Sequence, residues 1–170
     1  MPATYEPIQT QTLSSATQTV TLSSIPGTYT DLVLVMSFAT ETASGSAIRL
    51  RINGDTTASN YSTTFLQGLG SGTSMGHREQ NDAALGYQIG ATNSFVNAYI
   101  LHFMNYANTS AMKTYVGRVN SGIDGTGVNA MLYRSTSAIT SMSFRVGNYS
   151  SPTNNFAVGS TFTLYGIKAA

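Results

Sequence analysis

"IRLRINGDTTASNYS", residues 48–62, is the stretch from which the fold is best read. Ile48, Leu50 and Ile52 alternate with Arg49 and Arg51. A period of two sends the apolar set to one face and the arginines to the other, the pattern of a half-buried β-strand. Asn53-Gly54 follows, the preferred pair for a type I′ hairpin turn, in which both central residues take positive φ. Asp55 extends the turn chemistry. The stretch therefore predicts a strand running into a turn. Arg49 and Arg51, on its polar face, are candidates for hydrogen bonds to another subunit, because arginine is enriched at protein interfaces.

The same period recurs on both sides. Val20 and Leu22 alternate with Thr19 and Thr21 in "TQTVTLSSI", and Pro26-Gly27 then turns the chain. "DLVLVMSF" is a short, valine-rich apolar run and reads as a central strand buried on both faces. "NYSTTFLQGL" is another strand. In "SFVNAYILHFMNYAN", Tyr99, Leu101 and Phe103 share one face while Ile100, His102 and Met104 share the other. "MKTYVGRV", "VNAMLYRS", "ITSMSFRVG" and "STFTLYGIK" complete the set. In "ITSMSFRVG", Met142, Phe144 and Val146 point inward with Ile139, and Ser141, Ser143 and Arg145 face out. About nine to eleven short strands result, with no segment of helical period and cap. Their two-faced apolar load predicts an all-β fold: a single-domain antiparallel β-sandwich, jelly-roll-like, over residues 16–170. Residues 1–15 are expected to form an N-terminal arm whose Tyr5 and Ile8 pack on a neighbouring subunit.

Charge sets this chain apart. Of its 170 residues only 9% are Asp, Glu, Lys or Arg, against about 25% in ordinary soluble domains. Ser, Thr, Asn and Gly fill the gap, over an apolar share of 41% that is enough for a core. A neutral, hydroxyl-rich surface has little repulsion to keep copies apart, which favours self-association. The net charge of +1 and the absence of a Lys/Arg cluster exclude bulk phosphate binding, so no nucleic-acid partner is expected. There is no cysteine for a disulfide or thiolate metal site. No apolar run spans a bilayer and "MPATYEPIQTQ" lacks signal-peptide character, so assembly in a cytoplasm without a membrane partner is expected.

Catalytic signals are thin. His102 sits among bulky residues of a strand and reads as a packed histidine hydrogen-bonded to a neighbour. "GLGSGTSMGHREQND" reads as a flexible glycine-rich loop carrying His77, Arg78, Glu79 and Asp82, the densest charge group in the chain; His77 and Arg78 are ligand candidates on that account. Its glycine-serine spacing is wrong for a nucleophile elbow, and no helix follows. Asp55 and Asp124 are turn formers, and nothing pairs two carboxylates for glycoside hydrolysis. No catalytic residue, cofactor or metal ligand is assigned. With ten Tyr and no Trp, tyrosines are the stacking or anchoring candidates. Tyr61, Tyr106 and Tyr149, each following an Asn near a strand end, are the ones expected to be exposed.

Several stretches, in order, carry a resemblance: Ser24-Ile25-Pro26 leading to Tyr29-Thr30-Asp31-Leu32, the turn Ile52-Asn53-Gly54-Asp55, Asn60-Tyr61-Ser62, and the closing run from Gly159 through Phe162 and Tyr165 to Ile167. The set resembles a widespread family of small virion proteins of tailed bacteriophages. The resemblance spans nearly the whole chain. It implies a jelly-roll-like β fold and a non-enzymatic structural role, with no catalytic residues to carry over. The expectation is a virion component, either capsid decoration (cement) or tail accessory, forming a homo-oligomer with a trimer favoured and meeting the major capsid or tail proteins. The alternative is a tail-fibre or baseplate adhesin for host surface glycans; a depolymerase-like hydrolase stands third.

Overall fold

The computed structural model describes residues 4–42, 47–69, 73–79, 83–85, 93, 95–121, 125–147 and 154–168, with backbone alone for 69, 73–79 and 83–84. Twelve strands follow in order among the described residues: β1 Tyr5–Thr12, β2 Thr19–Leu22, β3 Asp31–Phe38, β4 Ile48–Ile52, β5 Tyr61–Leu69, β6 Thr73–Glu79, β7 Ala83–Ala84, β8 Asn97–Met104, β9 Lys113–Ser121, β10 Gly125–Tyr133, β11 Met142–Val146 and β12 Thr161–Ile167. One 3₁₀ turn, Ala58–Asn60, precedes β5. The strands form an eight-stranded sheet, β1-β12-β3-β8-β9-β10-β5-β6, and a four-stranded sheet, β2-β11-β4-β7, with antiparallel pairing in each.

The order is that of a jelly roll with an extension. β1, β2, β3 and β4 alternate between the sheets, as do β7, β8, β11 and β12, giving β1-β12-β3-β8 in one layer and β2-β11-β4-β7 in the other. Two hairpins, β5–β6 and β9–β10, are inserted into this framework. Both join the larger layer beyond β8, where β10 pairs with β5, and together they form a four-stranded wing. The all-β sandwich expected from alternation is what the chain adopts.

The framework core follows from parity. Leu32, Leu34, Met36 and Phe38 of β3, Ile48, Leu50 and Ile52 of β4, and Met142, Phe144 and Val146 of β11 are all buried. A run of aromatic contacts crosses between the layers: Phe144 stacks on Phe162 (centroids 6.1 Å apart), Phe162 meets Phe156 edge-on at 5.0 Å, and Phe156 meets Phe38 at 5.5 Å. Edge-to-face pairs of this kind are favoured by the ring quadrupole.

Four expectations need correction. β3 lies inside the sheet, but Val33 and Val35 on its other face are only half-buried, because the opposing layer covers one side alone. The glycine-rich stretch that begins at Gly68 is not loop throughout: β5 runs on to Leu69, and Thr73–Glu79 pairs with it as β6. The Asn53-Gly54 turn has the type I′ backbone, with φ of 51° and 69° and the Asp55 amide donating to the Ile52 carbonyl at 2.9 Å. It does not close a hairpin, however, because β4 belongs to the small layer and β5 to the large one. Residues 5–12, expected within an arm packing on a neighbouring subunit, pair along β12 of the same chain as the outermost strand of the large layer.

Candidate functional site: two outer faces of opposite character

Several sequence candidates turn out to hold the fold together. Tyr61 and Tyr106, expected at the surface, are 4% and 0% exposed. Tyr61 opens β5 with the same parity as buried Phe65, so its ring points inward and stacks on Tyr133 with centroids 5.0 Å apart. Its hydroxyl donates to the Asp55 carbonyl at 3.0 Å and accepts from the Ile52 amide at 3.1 Å. The Tyr106 hydroxyl donates to the Pro26 carbonyl, pinning the turn after β8 to the turn before β3. Burial raises the pKa of both phenols. Tyr149 and Asp124 lie outside the described residues, as does Asp82, and the side chains of His77 and Arg78 do too.

Asp55 is the hub of this corner. Its Oδ1 accepts the Thr57 amide at 2.8 Å, and its Oδ2 accepts the Asn60 amide group at 2.7 Å and the Tyr133 hydroxyl at 2.9 Å. Burial works against ionisation, yet these donors outweigh it and bring the carboxyl down to about 2. A second buried clip is Lys113, whose Nζ donates to the carbonyls of Asn108, Ala111 and Thr136, tying the turn before β9 to the segment after β10. Burial lowers its pKa.

His102 stands half-exposed on the outer face of β8, with Nε2 3.0 Å from Asp31 Oδ2. Asp31 Oδ1 also accepts the Asn105 amide at 2.7 Å, which makes this pair a brace across the β3–β8 corner. The residues beside His102 on neighbouring strands are Val33 and Val116, neither of them a nucleophile. Among the described residues there is no group of three or more His, Asp or Glu able to hold a metal ion.

What remains is two outer faces. On the small layer, β2, β11 and β4 lay their outward residues in rows: Thr19–Arg145–Arg49, then Thr21–Ser143–Arg51. Every side chain in these rows is polar or cationic. Arg145 stands directly opposite Arg49, an arrangement of like charges that on its own disfavours pairing. A shallow depression of about 350 Å³ lies over the rows, with Arg51 and Arg145 at its sides, Thr21, Ser141 and Ser143 beneath, and Gly54 at its end. Asn53 builds that end: its Oδ1 accepts the Thr140 and Ser141 amides at 2.9 and 3.1 Å, and its Nδ2 donates to the Ala138 carbonyl at 2.8 Å. Arg49 and Arg51 were legible as outward residues; Arg145, their partner across the strand, was not singled out.

On the wing several outward residues are large and apolar, set among Thr64, Arg118 and Thr126. Leu66 and Val116 are 58% and 52% exposed, with Val128 and Met104 nearly as open. Register brings them together: Leu66, Val128 and Arg118 form one row across β5, β10 and β9, and Thr64, Ala130 and Val116 form the next. A groove of about 410 Å³ runs beside Leu66 and Val128, over Gly68 and Gly127. Tyr5, at the opposite margin of the same layer, is exposed on the edge strand, while Ile8 is half-buried against the core.

No family model matches this chain, and no curated protein matches it. Among solved structures it is similar to a protein of unknown function from Shewanella oneidensis MR-1, at 16% identity over 98% of this chain and 77% of that one, with a TM-score of 0.31, too loose a match to bear on fold or role.

Proposed function

We propose that the chain is a non-enzymatic structural protein of a bacteriophage virion, an exterior accessory of decoration or cement type that assembles as a homo-oligomer, a trimer in the first instance. The observation that carries this reading is the apolar outer face of the wing. Leu66, Val128 and Val116 stand in adjacent rows of the wing, with Met104 at the end of the neighbouring β8, on a sheet whose inner side already has its own packing. Grouped exposed apolar side chains rimmed by polar ones are the mark of an interaction face. The low charge of the chain removes the repulsion that would oppose close approach of copies. The resemblance of the Ser24–Leu32, Ile52–Asp55 and Gly159–Ile167 stretches to small phage virion proteins points the same way.

The mechanism in this reading is mechanical. Area buried between accessory and shell adds contacts that must break before the shell opens. Mass spectrometry of purified particles tests it: hundreds of copies per particle indicate a capsid accessory, a handful indicates a tail component, and absence from particles removes the proposal. Native mass spectrometry of the isolated protein tests the oligomer. The second reading, a tail-fibre or baseplate adhesin, is favoured by one feature, the cationic depression on the small layer.

A further inference from the structure

We propose that the depression on the outer face of β2, β11 and β4 is a binding site for an acidic glycan, with the sugar carboxylate held between Arg51 and Arg145. The inference goes beyond the structural role above and does not depend on it.

The argument begins with placement. The chain has eight Lys and Arg in all, and three of them, Arg49, Arg51 and Arg145, share one face of the smaller sheet. Residues two apart on a strand lie about 7 Å apart, and diagonal neighbours across an antiparallel pair are about 7–8 Å apart. Arg51 and Arg145 are such a diagonal pair, flanking Ser143. Long side chains from these two positions reach a common point above Ser143. The Arg145 guanidinium donates to Gln18 Oε1, and both arginines have partners inside the fold. A guanidinium has five N–H donors, so a partner that fixes its plane leaves others for a ligand. Pre-oriented guanidinium groups are the residues of choice for a carboxylate.

The floor decides between ligand classes. Thr19, Thr21, Ser141 and Ser143 supply hydroxyls that both donate and accept. A sugar ring presents the same dual groups along its edge, whereas an acidic peptide presents one backbone donor and one acceptor per residue and has extended strands to satisfy. The volume, about 350 Å³, falls at the small end of ligand pockets and leaves room for a sugar ring. Among the described residues no aromatic side chain lines the depression, so they offer no stacking platform for a neutral sugar. Affinity must therefore come from the charge, and binding is expected to be weak and salt-sensitive, since exposed charge interactions are screened within about 10 Å at 0.1 M salt.

The test is a titration of the full-length protein, followed by NMR and calorimetry, with three probes: a galacturonate trisaccharide, the corresponding neutral galactose trisaccharide, and a poly-glutamate peptide. The expected result is binding of the galacturonate probe alone at low salt, with loss on raising salt. Arg51→Gln and Arg145→Gln should each weaken it about tenfold or more, while Arg118→Gln on the wing leaves it unchanged. Arg51→Lys, which keeps the charge and loses the fork, should recover part of the affinity. Far-ultraviolet circular dichroism of each variant confirms that it is folded. Equal binding of the neutral sugar, indifference to both Gln variants, or no binding overturns the proposal. Preference for poly-glutamate overturns it too, and assigns the face to an acidic protein segment.

Discussion

The jelly-roll framework and the wing meet in the large layer but are built from different strands, and their polarity is arranged oppositely. In the framework the inner face is wholly apolar around β3, β4 and β11, and the outer face of the small layer is hydroxyl and arginine. In the wing the inner face includes Thr63, Gln67, Asn129 and Ser121 among its buried residues, while Leu66, Val116 and Val128 point out. Asn129 Nδ2 donates to the Leu85 carbonyl, but Asn129 Oδ1, Thr63 Oγ1 and both polar atoms of Gln67 have no hydrogen-bond partner among the described residues. A buried polar group left unpaired costs about 1–3 kcal/mol, so these positions weaken the interior of the wing. The difference teaches where stability and interaction are divided: the framework holds the fold, and the wing presents a surface.

The largest effect that separates the two regions should come from the framework core. Phe144→Ala removes a ring stacked on Phe162 at the centre of the interlayer aromatic run. Deleting a buried phenylalanine costs about 3–5 kcal/mol, most of the stability of a small domain. Urea unfolding should show this loss or outright failure to fold; a loss below about 1 kcal/mol would place the core elsewhere.

Next in size is the corner that joins framework to wing. Asp55→Ala removes the acceptor for Thr57, Asn60 and Tyr133 and leaves the Tyr133 hydroxyl without that partner, at an expected cost of about 2–3 kcal/mol. The pH dependence follows from the direction of the shift. The folded carboxyl titrates near 2, below its ordinary value, so its contribution is complete above the ordinary carboxylate range and is lost as pH falls toward 2. Acid unfolding of the native protein should thus show a component between about pH 4 and pH 2 that Asp55→Asn lacks. An unchanged acid profile in that variant would remove the assignment.

How much of this was readable beforehand depends on whether the signal is local. The alternation of β4, β8 and β11 and the Asn53-Gly54 turn were legible because side-chain parity and positive φ are properties of a few adjacent residues. Which sheet the next strand joins was not, since the same I′ backbone serves a hairpin or a crossing between layers. Tyr61 was misread from its neighbour Asn60, when its parity with Phe65 already pointed it inward. β6 was hidden by loop-like composition, because a backbone ladder with β5 holds it and such a ladder leaves no mark on side-chain pattern. The arginine face was half-legible: Arg49 and Arg51 showed their direction, but their meeting with Arg145 requires the pairing of strands distant in sequence.

Within the wing, Gln67→Met should raise stability by about 1–2 kcal/mol. Methionine is unbranched and of similar volume, and it replaces an amide whose nitrogen and oxygen are both buried without partners among the described residues. A melting temperature that rises in this variant, and does not rise in a half-buried control outside the wing such as Gln11→Met, identifies the wing interior as polar at the expense of stability. A fall would mean that the amide is engaged, and would bring the wing closer to the framework in character.

The smallest effect on folding should accompany the clearest effect on association. Leu66 and Val128 are neighbours across β5 and β10, and each is close to half exposed or more. Leu66→Ser with Val128→Ser removes apolar surface that the monomer does not bury, so unfolding of the isolated chain should change by no more than about 0.5 kcal/mol. If copies or shell proteins cover this face, the same pair should lower the association constant by tenfold or more, read as a shift to smaller species in sedimentation velocity or as lost occupancy on particles. The separation of the two readouts is what discriminates. A large loss of folding stability would make the face part of the core, and unchanged assembly would mean that the wing's outward leucine and valines serve neither region.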